Sequence, residues 1–231
     1  MNAAAPLAIE LRDVTRRLGR DLVLRGVNLE VAAGRLVVLR GANGTGKTTL
    51  LSLLATRLRP SSGEAFLFGH ALPARSQPAR ARLGLLSVVG GSFPMLDARE
   101  NLLLALDLAG RRGAAAPVDV GAALDTVGLA STGGKLVRTF SSGMKKRLAL
   151  ARLLLLDPDL WLLDEPYAAL DDAGKLLMDD CVAAARARGR TVFMASHESD
   201  RDHLGPDAVL ELAGGVLRRL AAAPAAPADP A

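Results

Sequence analysis

The chain has 231 residues, 50% of them hydrophobic and 23% charged, a balance that supports one sizeable globular domain and argues against a disordered chain. Lys and Arg number 29 against 24 Asp and Glu, a formal net charge of +5; this suits an acidic partner such as a nucleotide, a nucleic acid or an anionic membrane face without choosing among them. A single cysteine excludes a disulfide framework and a cysteine-rich zinc site, and 3% aromatic content argues against a base-stacking single-strand binder.

Apolar runs alternate with helix-like segments along the chain, the pattern of an α/β sheet packed between helices. LAIELRDV near Leu7 and VNLEV near Val27 alternate in polarity and predict antiparallel strands at one edge. LVVLR is a continuous apolar run ending before a glycine, which predicts a buried strand. Leucines at helical spacing predict a helix over 48–58, and shorter strands follow at 64–68 and 82–86. From 98 to about 156 the signals are helical with glycine breaks, so an α-helical insertion over about 88–156 is expected. DLWLLDE reads as another buried strand, 171–188 as a helix, TVFMAS as a last buried strand, and AVLEL with GVLRRL as a closing hairpin across Gly214 and Gly215. The expected domain is 1–220, followed by an Ala/Pro-rich tail over 221–231 too poor in burial to order itself. No apolar run reaches the roughly 18 residues that cross a bilayer. The opening MNAAAPLAIE lacks the positive patch and long apolar core of a secretory leader, so a soluble intracellular chain is expected.

Gly41-Ala-Asn43-Gly44-Thr45-Gly46-Lys47-Thr48 matches GxxxxGK[ST] in full, between the buried strand and the leucine-patterned helix. The glycines let successive N–H groups turn inward around a phosphate, and the helix that follows presents its positive dipole end to the same oxygens. Lys47 is placed to reach the β- and γ-phosphates, and the Thr48 hydroxyl suits Mg²⁺, a hard cation that takes oxygen ligands. Together with Thr49, these positions form the predicted phosphate-binding loop. Trp161-Leu-Leu-Asp164-Glu165-Pro166 ends an apolar strand on two carboxylates. In an open parallel sheet, ligands bind beyond the carboxyl ends of strands, so Asp164 is a candidate Mg²⁺ ligand and Glu165 a candidate to polarise attacking water. The other reading is an acidic pair at a helix start around Pro166, stabilising through the dipole alone. Tyr167 and Trp161 are assigned no catalytic role.

With these residues in order, the chain resembles the ATP-binding subunit of an ABC transporter from about Leu7 to Leu220. Phe140-Ser141-Ser142-Gly143-Met144 resembles the family's signature loop, Leu170-Asp171 the loop linking paired ATP sites, and Ala195-Ser196-His197-Glu198 the switch histidine. Read alone, the serines would be a helix N-cap and His197 a hydrogen-bonded surface histidine. The resemblance implies a P-loop NTPase core of mainly parallel sheet with an antiparallel β edge. It also implies a head-to-tail homo- or heterodimer in which Ser141 and Gly143 of one copy meet ATP on the other, with His197 sensing the γ-phosphate. Transmembrane permease subunits are the implied partners, at the cytoplasmic face of the membrane; the apolar stretch with Phe93, Pro94 and Met95 in the 88–96 segment reads either as the contact patch for them or as packing on the chain's own helical insertion. No nucleic acid is expected. The implied activity is ATP hydrolysis coupled to transport.

Three departures from the family pattern stand out. Leu18 occupies the position where an aromatic residue usually stacks on adenine, so base recognition is expected to rest on apolar contact and on Arg16 and Arg17. Val88 stands where glutamine is usual and cannot ligate a hard cation. Ser142 and Met144 replace the usual glycine and glutamine of the signature. The changes at Val88 and in the signature bear on hydrolysis rate rather than on ATP binding, and leave open a slow ATP-gated dimer switch. The wording LARLLLLDPDLWLLDEP resembles, more narrowly, the haem-exporter ATPase subunit of cytochrome c biogenesis.

Overall fold

A computed structural model describes residues 6–73, 76–87, 91–111, 113, 116–196 and 202–220. Val88, His197 and the 221–231 tail therefore lie outside the described residues. Strands β1 (Leu7–Leu18) and β2 (Asp21–Ala32) form an antiparallel hairpin, and β4 (Ser62–Leu67) and β5 (His70–Leu72) extend it in the order β2-β1-β4-β5. The second sheet runs β10-β9-β3-β8-β7-β6. Its strands β3 (Leu36–Arg40), β6 (Leu83–Leu86), β7 (Leu160–Asp164), β8 (Thr191–Ala195) and β9 (Ala208–Ala213) are mutually parallel, and β10 (Val216–Leu220) closes the edge antiparallel.

The apolar runs read as buried strands are the central strands of this sheet. Every residue of β7 and β8 is buried, because a parallel sheet is covered on both faces. Alternate residues then serve two cores. Trp161, Leu163, Val192 and Met194 face helices α3 (Ala98–Leu108), α4 (Ala116–Thr126), α5 (Ser142–Leu156) and α6 (Asp172–Ala187). Leu160, Leu162, Phe193 and Ala195 face α1 (Lys47–Leu54) and the antiparallel sheet. Cys181 sits in the first core, its thiol pushed up to about 11 by burial, which makes it a poor nucleophile.

The predicted helix over 48–58 is shorter than its leucine pattern suggests. It ends at Leu54 because Thr56 takes a left-handed backbone (φ 59) and Arg57 and Leu58 turn their N–H groups back to the Ser52 carbonyl. The predicted helix over 171–188 keeps its place, with Asp171 accepting from Gly174 N as N-cap and Arg188 as C-cap. Two short elements carry no pattern in the sequence: β5, and α2 (Ser76–Arg80) after it.

Asp207 fixes the start of β3. One oxygen accepts from Leu36 N at 2.8 Å and from Arg186 at 3.1 Å, and the other accepts from Arg35 at 2.8 Å. Burial alone would raise this carboxyl, but the Leu36 N–H and the two guanidiniums outweigh it and hold it below its ordinary value. A carboxyl lowered in the native state stabilises the fold above its unfolded pKa and loses that contribution as acid titrates it. Asp207→Ala is therefore expected to cost about 1–3 kcal/mol in urea unfolding near neutrality, and the gap to wild type should close in acid.

Candidate nucleotide site

The turn between β3 and α1 is built on left-handed glycines. Gly46, the N-cap of α1, has φ 106, and a Cβ there would lie 2.9 Å from Val23 Cγ1. A Cβ at Gly41 would lie 2.6 Å from the Leu212 carbonyl oxygen. At Gly41 the close neighbour is backbone, and at Gly46 a Val23 methyl together with the left-handed φ disfavours any side chain. Thr45 donates its hydroxyl to the Ala42 carbonyl at 2.9 Å, closing the loop on itself. The loop borders a cavity of about 300 Å³ lined by Leu18, Val23, Ala42, Asn43, Gly44, Gly46, Lys47, Thr48, Thr49 and Glu165.

Lys47 is buried, and its ammonium donates to the Gly41 carbonyl at 2.6 Å and the Ala42 carbonyl at 3.3 Å. The same Nζ lies 3.5 Å from Glu165 Oε1. Thr48 Oγ1 donates to Asp164 Oδ1 at 3.3 Å. Strand β8 separates β3 from β7, yet the two strand ends bring these four side chains together, because ligand crevices form beyond the carboxyl ends of parallel strands. Asp164 is buried, and burial pushes its carboxyl above the ordinary value; the Thr48 hydroxyl opposes this and the neighbouring Glu165 charge adds to it. A buried carboxylate and a hydroxyl this close form a hard oxygen pair that suits Mg²⁺, which completes its shell from phosphates and water rather than from a protein cage.

Glu165 itself is in an unusual conformation. Its backbone is left-handed (φ 47), its N–H donates to the Ala195 carbonyl at 2.9 Å, and its carbonyl accepts from Ala168 N at 3.2 Å. A second buried lysine reaches it from α5, with Lys146 Nζ donating to the Glu165 carbonyl at 2.6 Å. Burial lowers the Lys146 ammonium, against the pull of the Asp164 and Glu165 charges. Sequence reading missed Lys146. It sits in a run of basic residues that reads as a solvated face, and only the packing of α5 against the loop after β7 turns it inward.

Ser141 is the N-cap of α5 and accepts from Met144 N at 3.2 Å. This occupies a lone pair and leaves the hydroxyl proton available. A Cβ on Gly143 would lie 2.9 Å from the Ala169 carbonyl oxygen, so the head of α5 lies close against the loop after Glu165. Neither Ser141 nor Gly143 is among the residues lining the phosphate-loop cavity of the same chain. Trp161 is fully buried, and Tyr167 donates to Asp179 Oδ1 at 2.6 Å while His203 Nε2 lies 3.0 Å from Asp179 Oδ2. Asn101 anchors the segment carrying Phe93 and Met95. It accepts from Phe93 N at 2.6 Å and donates to the carbonyls of Phe93, Leu96 and Asp97, with both apolar side chains left exposed.

The family model described as ABC transporter matches residues 24–168. The chain belongs to the ABC transporter ATP-binding family. Among the ABC proteins it resembles, Nod factor export ATP-binding protein I of Burkholderia orbicola (strain AU 1054) is 36% identical over 82% of this chain and 62% of its own length. This chain thus spans under two thirds of the Nod factor export relatives. Cytochrome c biogenesis ATP-binding export protein CcmA 2 of Cupriavidus metallidurans is 35% identical over 84% of this chain and 91% of its own length. The ABC fold is also matched by an ATP-binding cassette solved as a dimer in a post-hydrolysis state with ADP and Pi. Its TM-score is 0.83 at 23% identity, covering 92% of this chain and 97% of that one.

Proposed function

We propose that this chain hydrolyses ATP to power a membrane ABC exporter, working as a dimer docked on transmembrane permease subunits at the cytoplasmic face of the membrane. The observation that carries this reading is the convergence of Lys47, Thr48, Asp164 and Glu165 beside the glycine loop, at 3.3 Å between Thr48 and Asp164 and 3.5 Å between Lys47 and Glu165. In this reading Lys47 and the loop N–H groups bind the phosphates, and Leu18, at the cavity wall, meets the base. Thr48 and Asp164 would hold Mg²⁺, which would supply charge neutralisation at the bound phosphates. Glu165 orients the attacking water, and His197 is proposed to face the γ-phosphate. Ser141 and Gly143 of a second copy close the site, with the spare hydroxyl proton and helix N-terminus directed at the γ-phosphate. Catalysis is then positioning and charge stabilisation.

Exposed Phe93 and Met95, held in place by Asn101, support 88–96 as the permease contact. We favour a role in cytochrome c biogenesis, with haem as the proposed cargo, because the Cupriavidus cytochrome c biogenesis export protein is matched over nearly its whole length. A slow ATP-gated switch is the second reading, favoured by valine at 88 and by the altered signature Ser142 and Met144. Steady-state phosphate release from the full chain with Mg-ATP separates the two. The expected rate exceeds that of Glu165→Gln by at least about 100-fold; a wild-type rate no better than the variant's favours the switch.

A further inference from the structure

Two consecutive cations in the first turns of α5 grip the loop that follows β7. Lys146 donates to the Glu165 carbonyl at 2.6 Å. Arg147 donates to Asp171 Oδ1 at 2.8 Å and to the Val127 carbonyl at 3.3 Å. Between these anchors, Glu165 (φ 47) and Ala169 (φ 64) both have left-handed backbones although neither is glycine. Such conformations cost free energy for any residue with a Cβ, and they persist where surrounding contacts over-determine them. Lys146 is only 7% exposed; an ammonium so far removed from water requires a compensating acceptor. The acceptor it takes is the main-chain oxygen of the strained residue itself.

We propose that Lys146 is a positioning residue for ATP hydrolysis: by holding the Glu165 carbonyl it fixes the left-handed turn that carries the Glu165 carboxylate, and ties that turn to the helix headed by Ser141. The proposal rests on the reading of Glu165 given above. A group that orients water acts only from a narrow range of positions, so a small drift of this turn reaches the rate without reaching the phosphate loop. Lys146 donates to the backbone and does not line the phosphate-loop cavity, so it acts on turnover by placing Glu165.

Phosphate release and nucleotide binding by the full chain test this. Lys146→Met keeps the length of the stem and removes the donor. It is expected to lower kcat about 10- to 100-fold, with KM for ATP and affinity for ADP within about twofold of wild type. Lys146→Arg returns a charged donor and is expected to restore much of the rate. In a Glu165→Gln background, Lys146→Met is expected to add no further loss, since residues acting as a unit are not additive. A Lys146→Met chain at the wild-type rate overturns the proposal, and so does a loss of rate matched by an equal loss of nucleotide affinity or left unrestored by Lys146→Arg. Should Lys146→Met fail to fold, Lys146→Gln, neutral and too short to keep the 2.6 Å contact, is compared with Lys146→Arg by the same criteria: a rate below that of Lys146→Arg at unchanged affinity supports the proposal, and equal rates, or rates falling together with affinity, overturn it. Failure of the underlying reading has a separate signature, a Glu165→Gln chain that turns over as fast as wild type, and that result overturns both.

Discussion

Glu165→Gln is expected to bring phosphate release down at least about 100-fold, the lower end of what a positioned acid–base group contributes, while ATP binding stays intact. The substitution keeps the side chain's shape. It leaves the main-chain bonds of residue 165 to Ala195, Ala168 and Lys146 in place, so the left-handed turn has no reason to relax. What changes is charge. Lys47 loses a carboxylate 3.5 Å from its ammonium and is left with the Gly41 and Ala42 carbonyls, neutral oxygens that hold the ammonium less firmly than a triphosphate would. Nucleotide affinity should therefore be unchanged or higher. With binding kept and turnover removed, the ATP-bound dimer should persist, and light scattering with Mg-ATP should report twice the mass of the chain alone. A variant that stays monomeric under saturating ATP would remove support for the two-copy site, and one that still releases phosphate at the wild-type rate would take Glu165 out of the chemistry.

Lys47→Ala acts on the other half of the site. Its ammonium is buried, and its donors go to the Gly41 and Ala42 carbonyls at 2.6 and 3.3 Å, so the charge is already stationed within the glycine loop. A charge-assisted hydrogen bond contributes about 1.5–3 kcal/mol. Losing it is expected to weaken ATP binding about 10- to 100-fold by calorimetry, and to leave too little bound nucleotide for measurable turnover at ordinary concentrations. The fold should survive, since α1 keeps its apolar anchors Leu50, Leu51, Leu53 and Leu54. Unchanged affinity would contradict the assignment of this loop to phosphate.

The parts of the fold legible in the sequence were those whose burial imposes a pattern. LVVLR became β3 over Leu36–Arg40, residue for residue, because a strand covered on both faces must be apolar throughout. Asp164 beside Thr48 followed from motif and sheet order together. Less legible were features decided by single backbone conformations or by distant packing. Leucine spacing carries on to Leu58, but one left-handed residue at Thr56 stops the helix earlier. His70–Leu72 is too short to alternate and exists only because β4 offers it an edge. Lys146 lies 19 residues before the carbonyl it binds, and no local pattern marks a lysine that turns inward. The Tyr167–Asp179–His203 cluster is similar: its members are ordinary residues until α6 brings the carboxylate between the other two.

The near contact of Gly143 with the Ala169 carbonyl has a practical bearing on how loss-of-function alleles are interpreted. Any larger residue at 143 wedges α5 away from its own chain's loop before a second molecule is involved. Inactivity of such an allele thus confounds intramolecular damage with a lost intersubunit contact. Removing the Ser141 oxygen adds no atoms at that seam but takes the N-cap from Met144 N, so a stability measurement has to accompany either allele.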